Sequence, residues 1–474
     1  MAFNSMTFLF AFLPFLLLVY FLARGRGLRN GVLVLASLIF YAAGGTTALL
    51  ALIASIIGNY GLGLGIEAAR ARSARSARLV LSVGVLANVG LLGYFKYSGF
   101  VIGTLIRAFG LEIQVPSVVA LTGVSFFTFL GISYLVDIYR ERALAARNPL
   151  DAGLYIADFA TLLAGPIVRW EDFAPQVRDR QESVPTFAEG AERFIIGLGK
   201  KAILAGGLAA LNADVFAVRI GALSVLDAWL GAIAYTLQIY FDFSGYSDMA
   251  IGLGLMFGIR LPENFRWPYV ATSITDFWRR WHMSLSRWFR DYVYIPLGGS
   301  RVGNVRLVLN LFIVWGLTGL WHGAAWVFVA WGLYYGALLV VEKLVLGARI
   351  ERIWRPMRHG AVLVAVIVGW VIFSAPGVYA ALDRLQVMFG LAGAPLTGPR
   401  TIFYLVEYRF DLLVGIILSM PVGAWVAQRL ERAGSSAIGT IARTVRPVGF
   451  ALVFALSIAF LVSTSYQPFI YFKF

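Results

Sequence analysis

The sequence predicts an all-α protein that crosses a membrane many times. Of its 474 residues, 59% are hydrophobic and only 14% are charged, whereas a soluble domain carries about 25% charged residues. Apolar runs that approach the roughly 20 residues of a membrane helix recur along the whole chain. Arginine gathers between those runs, in alternate loops.

Spans are expected near 5–23, 30–43, 46–66, 79–95, 118–137, 190–212, 225–243, 305–321, 323–344, 360–375, 404–427 and 447–464, about 11 to 13 in all. The first run is followed by Arg24, Arg26 and Arg29. A cleavable signal carries its charges before the apolar core, so this run reads as a retained span. Arg70/Arg72/Arg75/Arg78, Arg140/Arg142/Arg147, Arg349/Arg352/Arg355/Arg358 and Arg429/Arg432/Arg443/Arg446 continue the alternation. Those loops are expected in the cytoplasm, with the N-terminus outside. The outward loop near 376–403 is rich in Gly, Pro and Ala and reads as a connection. Nothing marks off a soluble domain or an internal repeat. One integral-membrane domain, 1–474, is expected, with peripheral helices in 1–117, a core in 118–345 and further helices in 346–474.

Two segments depart from plain spans. The run 150–168 is apolar but is broken by Gly165-Pro166. Irregular backbone at membrane depth survives only when buried or lining a cavity, so a re-entrant element is expected there. In 272–292 the residues Ile274, Phe277, Trp278, Trp281, Leu285, Trp288, Phe289 and Tyr292 recur at three- and four-residue steps, with most arginines opposite. That pattern predicts one amphipathic helix at the membrane interface, capped by Ser273 and Asp276. His282 falls on or beside its apolar stripe. Asp276/Arg280 and Arg287/Asp291 have the spacing of ordinary helical ion pairs.

The net charge of +15 reads as topology-setting arginine, not as a nucleic-acid surface. Cysteine is absent, which excludes disulfides and thiolate chemistry. Proton transfer in so apolar a chain falls to histidine. There are three, and His282 and His322 lie in 262–331 with eight tryptophans: Trp267, Trp278, Trp281, Trp288, Trp315, Trp321, Trp326 and Trp331. His322 closes the run VWGLTGLWHGAAW, where Gly316, Gly319 and Gly323 permit close helix approach. An ionisable group at membrane depth is a functional candidate by default. The bland alternative is a histidine hydrogen-bonded between helices. We expect His322 as the active base and His282 as its helper. Two histidines without cysteine do not make a metal site, which needs three or four ligands.

Other groups are candidates for binding a donor. Trp281, Trp321 and Trp326 flank the histidines. Arg287, Arg290 and Arg301 suit either the phosphates of a nucleotide-containing donor or lipid headgroups. The turn Pro296–Arg301 carries Gly298-Gly299, a weak phosphate-cradle signal. Asp242 is open between an arginine partner, a cap and a tunnel lining. Asp248 reads as a cap.

The segments GVSFFTFLGISYLVDIYR (123–140), LLAGPIVRWEDF (162–173), FDFSGYSDMAIGLGLMFGIRLPENFRWPY (241–269), TDFWRRWHMSLSRWFRDYVYIPLGG (275–299), GLWHGAAWVFVAWGLYYG (319–336) and SYQPFIYFKF (465–474) together resemble the membrane-bound O-acyltransferase (MBOAT) family, in its bacterial polysaccharide-acetylating branch. One departure is Phe159-Ala160, where the family pattern carries Phe-Pro. The resemblance implies a ring of tilted helices, with re-entrant and interfacial helices, around a central tunnel. It implies His322 as the active-site histidine and His282 as a second polar residue. It implies acetyl-CoA as donor, no bound cofactor, and a location in the bacterial inner membrane among lipid. It further implies a periplasmic or extracellular acetyltransferase partner and an alginate-like polysaccharide acceptor. A transporter of an acyl group or small solute with a histidine proton relay, and a non-catalytic scaffold of a polysaccharide synthase, are the competing readings.

Overall fold

The computed structural model describes residues 1–115, 118–119, 121–433 and 437–463, so the closing SYQPFIYFKF lies outside the described residues. Every regular element among them is helical. The chain divides into two compact units, Met1–Ala191 with Ala250–Pro262, and Glu192–Met249 with Glu263–Phe474.

Seven described helices are long and apolar enough to cross a membrane, or eight if the bent pair Arg409–Leu418 and Val422–Leu430 is one span. The apolar run 118–137 becomes the shorter helix Val124–Tyr139, and 5–23 yields the apolar helix Phe8–Leu22.

In the first unit, helix α1 (Thr46–Arg70) and helix α2 (Ala74–Leu92) are joined by a polar contact between Asn59 and Asn88. Such amide pairs hold apolar helices in register where lipid offers no hydrophobic drive. The backbone around Gly165-Pro166 is irregular and buried, as expected of a re-entrant element. A Cβ on Gly165 would lie 2.5 Å from the Ala160 carbonyl oxygen. Near it, Asp158 caps the next turn through the Ala160 N–H at 3.2 Å.

In the second unit, the expected amphipathic helix over 272–292 is broken. It forms α3 (Ile274–Trp278), then α4 (Met283–Phe289), then a π-turn over Arg290–Tyr294. The reason is competition for the backbone. The Arg280 carbonyl accepts from the Arg266 N–H, and the Met283 N–H donates to the Asn264 carbonyl. The loop before α3 thus takes bonds that a continuous helix would use. His282 sits at the break with φ +44°, a left-handed value unusual for a residue with a side chain. The start of α3 is held as predicted by Ser273, whose hydroxyl accepts from the Asp276 N–H, and also by Glu342, which accepts from Ile274 and Thr275. The Asp276–Arg280 pair forms at 2.9 Å. Asp291 pairs with Arg290 at 2.7 Å.

Helix α5 (Asn304–His322) and helix α6 (Trp326–Val340) form a tight hairpin. Its contact is made by glycine: a Cβ on Gly319 would lie 2.1 Å from the Phe328 carbonyl, and one on Gly332 2.1 Å from the Trp315 carbonyl. A Cβ on Gly316 would meet only the Leu333 side chain, at 4.0 Å. Helix α7 (Arg355–Ser374) packs Trp370 and Phe373 against the aromatic wall of this hairpin.

Candidate active site

His322 is the last residue of α5 and is 4% exposed. Its ring meets Trp321 at 4.9 Å, Trp331 at 5.0 Å and Phe373 at 5.3 Å, all edge-on. It therefore faces protein and not lipid. His282, from the break between α3 and α4, lies 6.5 Å away between ring centroids and is 1% exposed. Forty residues of sequence separate the two. The fold brings them together because the α5–α6 glycine contact sets the depth of His322, and the broken segment turns His282 inward.

His282 is held by a small polar hub. Its Nδ1 lies 3.1 Å from the Asn264 Oδ1. The same oxygen accepts from the Ser284 N–H at 3.2 Å and the Ser284 hydroxyl at 2.9 Å. The Asn264 amide N–H donates to the Ser247 hydroxyl at 3.1 Å. The other ring nitrogen, Nε2, is buried and meets no hydrogen-bond partner among the described residues. Burial pushes the imidazole pKa down to about 3, which keeps His282 neutral.

A cavity of about 210 Å³ reaches Thr318 but is lined by neither histidine. Its inner wall is Trp278, Trp315, Val314 and Thr318, the last one turn before His322 on α5. Arg279, Arg290 and Lys343 also line it. Trp331 bridges inner wall and site, since its ring touches both Trp278 at 5.6 Å and His322 at 5.0 Å.

The other sequence candidates divide. Trp321 flanks His322. Trp281 is buried in a stack with Phe277 at 5.7 Å and Trp370 at 4.7 Å, so it supports the wall. Arg290 lines the cavity, whereas Arg287 and Arg301 are exposed and outside its lining. Trp326 is 53% exposed. The glycine turn forms with Gly298 at φ +104° and Gly299 at φ +58°. Its N–H groups are spent on Ile295 and Tyr294 carbonyls, so it offers no phosphate cradle. Asp242 forms a buried ion pair with Lys201. Asp248 is not a cap: it lies inside the helix Val225–Met256 and pairs with Lys200 at 2.6 Å and Arg193 at 2.9 Å.

Sequence reasoning missed Asn264 and the two lysines. Asn264 sits in a loop without periodicity, and an isolated amide there gives no signal. Lys200 and Lys201 interrupt the apolar run 190–212, and ionisable groups at membrane depth are a readable signal.

A buried pair of histidines, one of them held neutral, beside an apolar cavity with a basic lining has the groups that acyl or proton transfer in a membrane calls for. The membrane-bound O-acyltransferase (MBOAT) family model matches residues 47–382, and the chain belongs to that family. It is 40% identical to the "Probable alginate O-acetylase AlgI" of Azotobacter vinelandii and 41% identical to that of Pseudomonas putida, each over the full length of both chains. It is 38% identical to the peptidoglycan O-acetyltransferase of Helicobacter pylori, over 83% of this chain and 81% of that one. The protein is thus a multi-pass membrane O-acyltransferase, and the transporter and scaffold readings fall away.

Proposed function

We propose that the chain takes an acetyl group from acetyl-CoA at the cytoplasmic face of the bacterial inner membrane. It passes the group outward to a periplasmic or extracellular transferase, which O-acetylates an exported, alginate-like polysaccharide. The names of the relatives support the acetyl group and the polysaccharide. The observation that carries the site is the convergence of His322 and His282, buried and 6.5 Å apart.

The donor's seat is the cavity. Lys343 precedes the arginine cluster Arg349–Arg358, the side expected in the cytoplasm. Arg279, Arg290 and Lys343 meet the donor's phosphates, and its acyl arm lies along Trp278 and Trp315 toward Thr318. His322 ends α5 at the opposite end from Arg301 and Arg306, which suits outward delivery.

The chemistry needs one base. The neutral imidazole of His322 accepts the proton of the attacking hydroxyl as its oxygen adds to the thioester carbonyl. The C–S bond then breaks, and the thiolate leaves with that proton as free thiol. The apolar walls exclude water, which limits wasteful hydrolysis. His282 is the helper of His322: the Nε2 lone pair accepts a hydrogen bond from the acyl acceptor and holds it for attack.

His322→Ala is the test. It is expected to leave the protein in the membrane at normal amount and to abolish O-acetylation of the polymer, read as ester content per sugar. Normal ester content in that variant refutes the assignment.

A further inference from the structure

The structure assigns Asn264 as the positioning residue that fixes the tautomer and aim of His282, so that Nε2 presents its lone pair to the site. This deepens the proposed function and rests on its reading of His282.

The tautomer follows from the partners. Amide oxygen and nitrogen look alike, and a histidine contact alone does not tell donor from acceptor. Here a backbone N–H settles it. Ser284 N–H can only donate, and it points to the Asn264 Oδ1 at 3.2 Å. That atom is therefore oxygen. The Ser284 hydroxyl at 2.9 Å and the His282 Nδ1 at 3.1 Å meet the same atom, so Nδ1 carries the proton. A neutral imidazole protonated at Nδ1 has its lone pair at Nε2. That nitrogen is the buried one without a hydrogen-bond partner among the described residues.

The aim follows from the backbone. Asn264 binds the segment just after the histidine, through its carbonyl to the Met283 N–H at 3.0 Å and through its side chain to the Ser284 N–H at 3.2 Å. Two residues on, the Arg266 N–H donates to the Arg280 carbonyl at 2.9 Å. These bonds hold His282 in its left-handed conformation at φ +44°. Such a conformation persists only where the surroundings over-determine it. Phe243, edge-on at 4.7 Å, limits rotation of the ring. Ser247 in turn fixes the Asn264 amide from the helix Val225–Met256.

The experiment compares Asn264→Leu, Asn264→Asp, His282→Ala and the double variant Asn264→Leu/His282→Ala. The readout is acetyl-CoA-dependent thiol release by membrane vesicles, resolved into kcat and KM. Leucine removes the acceptor, and kcat is expected to fall at least about tenfold, within what a misplaced orienting group costs, with KM for acetyl-CoA unchanged. Aspartate keeps an oxygen for Nδ1–H and for both Ser284 donors, while the Ser247 hydroxyl turns to donate; kcat is expected within a few-fold of wild type. The double variant is expected to match His282→Ala, since groups that act as a unit are not additive. If Asn264→Leu fails to accumulate, Asn264→Gln carries the same amide one carbon too far and reads the same loss. Wild-type kcat in the leucine or glutamine variant overturns the inference, as does an aspartate variant no better than leucine, or losses that multiply in the double variant. A fully active His282→Ala sinks the reading of His282 itself. An inactive His282→Ala beside normal Asn264 variants sinks only the positioning role.

Discussion

Two buried polar clusters in the second unit make an instructive pair. One is His282, Asn264, Ser284 and Ser247, next to His322. The other joins Lys201 to Asp242, and Lys200 and Arg193 to Asp248. Both place hydrogen-bonding groups inside an apolar chain, where an unmet group is costly. The ionic cluster pairs its acids with Lys201, Lys200 and Arg193, and Arg193 also meets Glu263 at 2.5 Å. Its strong pairing suits it to hold helices together, and a Cβ on Gly197 would lie 2.5 Å from the Gly245 carbonyl where those helices touch. The histidine cluster is neutral, and among the described residues His282 Nε2 meets no hydrogen-bond partner.

The contrast predicts opposite signatures. The largest effect on activity comes from His322→Ala, with ester content falling to background and membrane-inserted protein unchanged. Asp242→Asn or Lys201→Met is expected to do the reverse. Breaking one side of a buried pair costs roughly 3–5 kcal/mol, so the protein disappears from the membrane fraction on immunoblots. Lys201→Met with Asp242→Leu restores much of it, because both charges go together. If the single charge variants instead accumulate normally and lose only activity, the ionic cluster belongs to the mechanism and the contrast fails.

The remaining predictions are smaller. Arg290→Glu with Lys343→Glu is expected to raise the KM for acetyl-CoA about tenfold, the equivalent of about 1.4 kcal/mol, with little change in kcat. A change confined to kcat would remove the cavity as the donor's seat. The smallest effect concerns pH. His282 is depressed to about 3 when folded and titrates near 6.5 when unfolded. The unfolded chain therefore binds the extra proton below about pH 6.5, and the stability that comes from keeping this ring neutral is complete above that pH and lost as pH falls. Thermal unfolding of detergent-solubilised protein is expected to drop between pH 7 and pH 5, and by less in His282→Asn. Equal drops would show that another group dominates.

Much of the candidate site was legible before any fold. His282 and His322 stand out because ionisable residues are rare in this chain, and the tryptophans around them pointed to one enclosure. Ser273 as a cap, the paired Asp276 and Arg280, and the glycine hairpin at Gly319 were each readable from local spacing. What misled was also local. The aromatic periodicity of 272–292 is real, yet it does not make one helix, because a loop distant by no more than 20 residues captures the backbone at Arg280 and Met283. Asp248 looked like a cap because Gly245 precedes it, while its charge is met by Lys200 and Arg193 from another helix.

Sequence alone determined that this chain lives in a membrane, is helical, and offers histidine as its candidate for proton chemistry, because hydropathy and the list of titratable groups are properties of composition. Only the tertiary structure decided which nitrogen of His282 is available, which acids are tied to lysine, and which arginine reaches the cavity. Those outcomes depend on which donor meets which acceptor across distant segments, and a hydrogen bond has no signature in the order of residues until the backbone has put its two ends within about 3 Å.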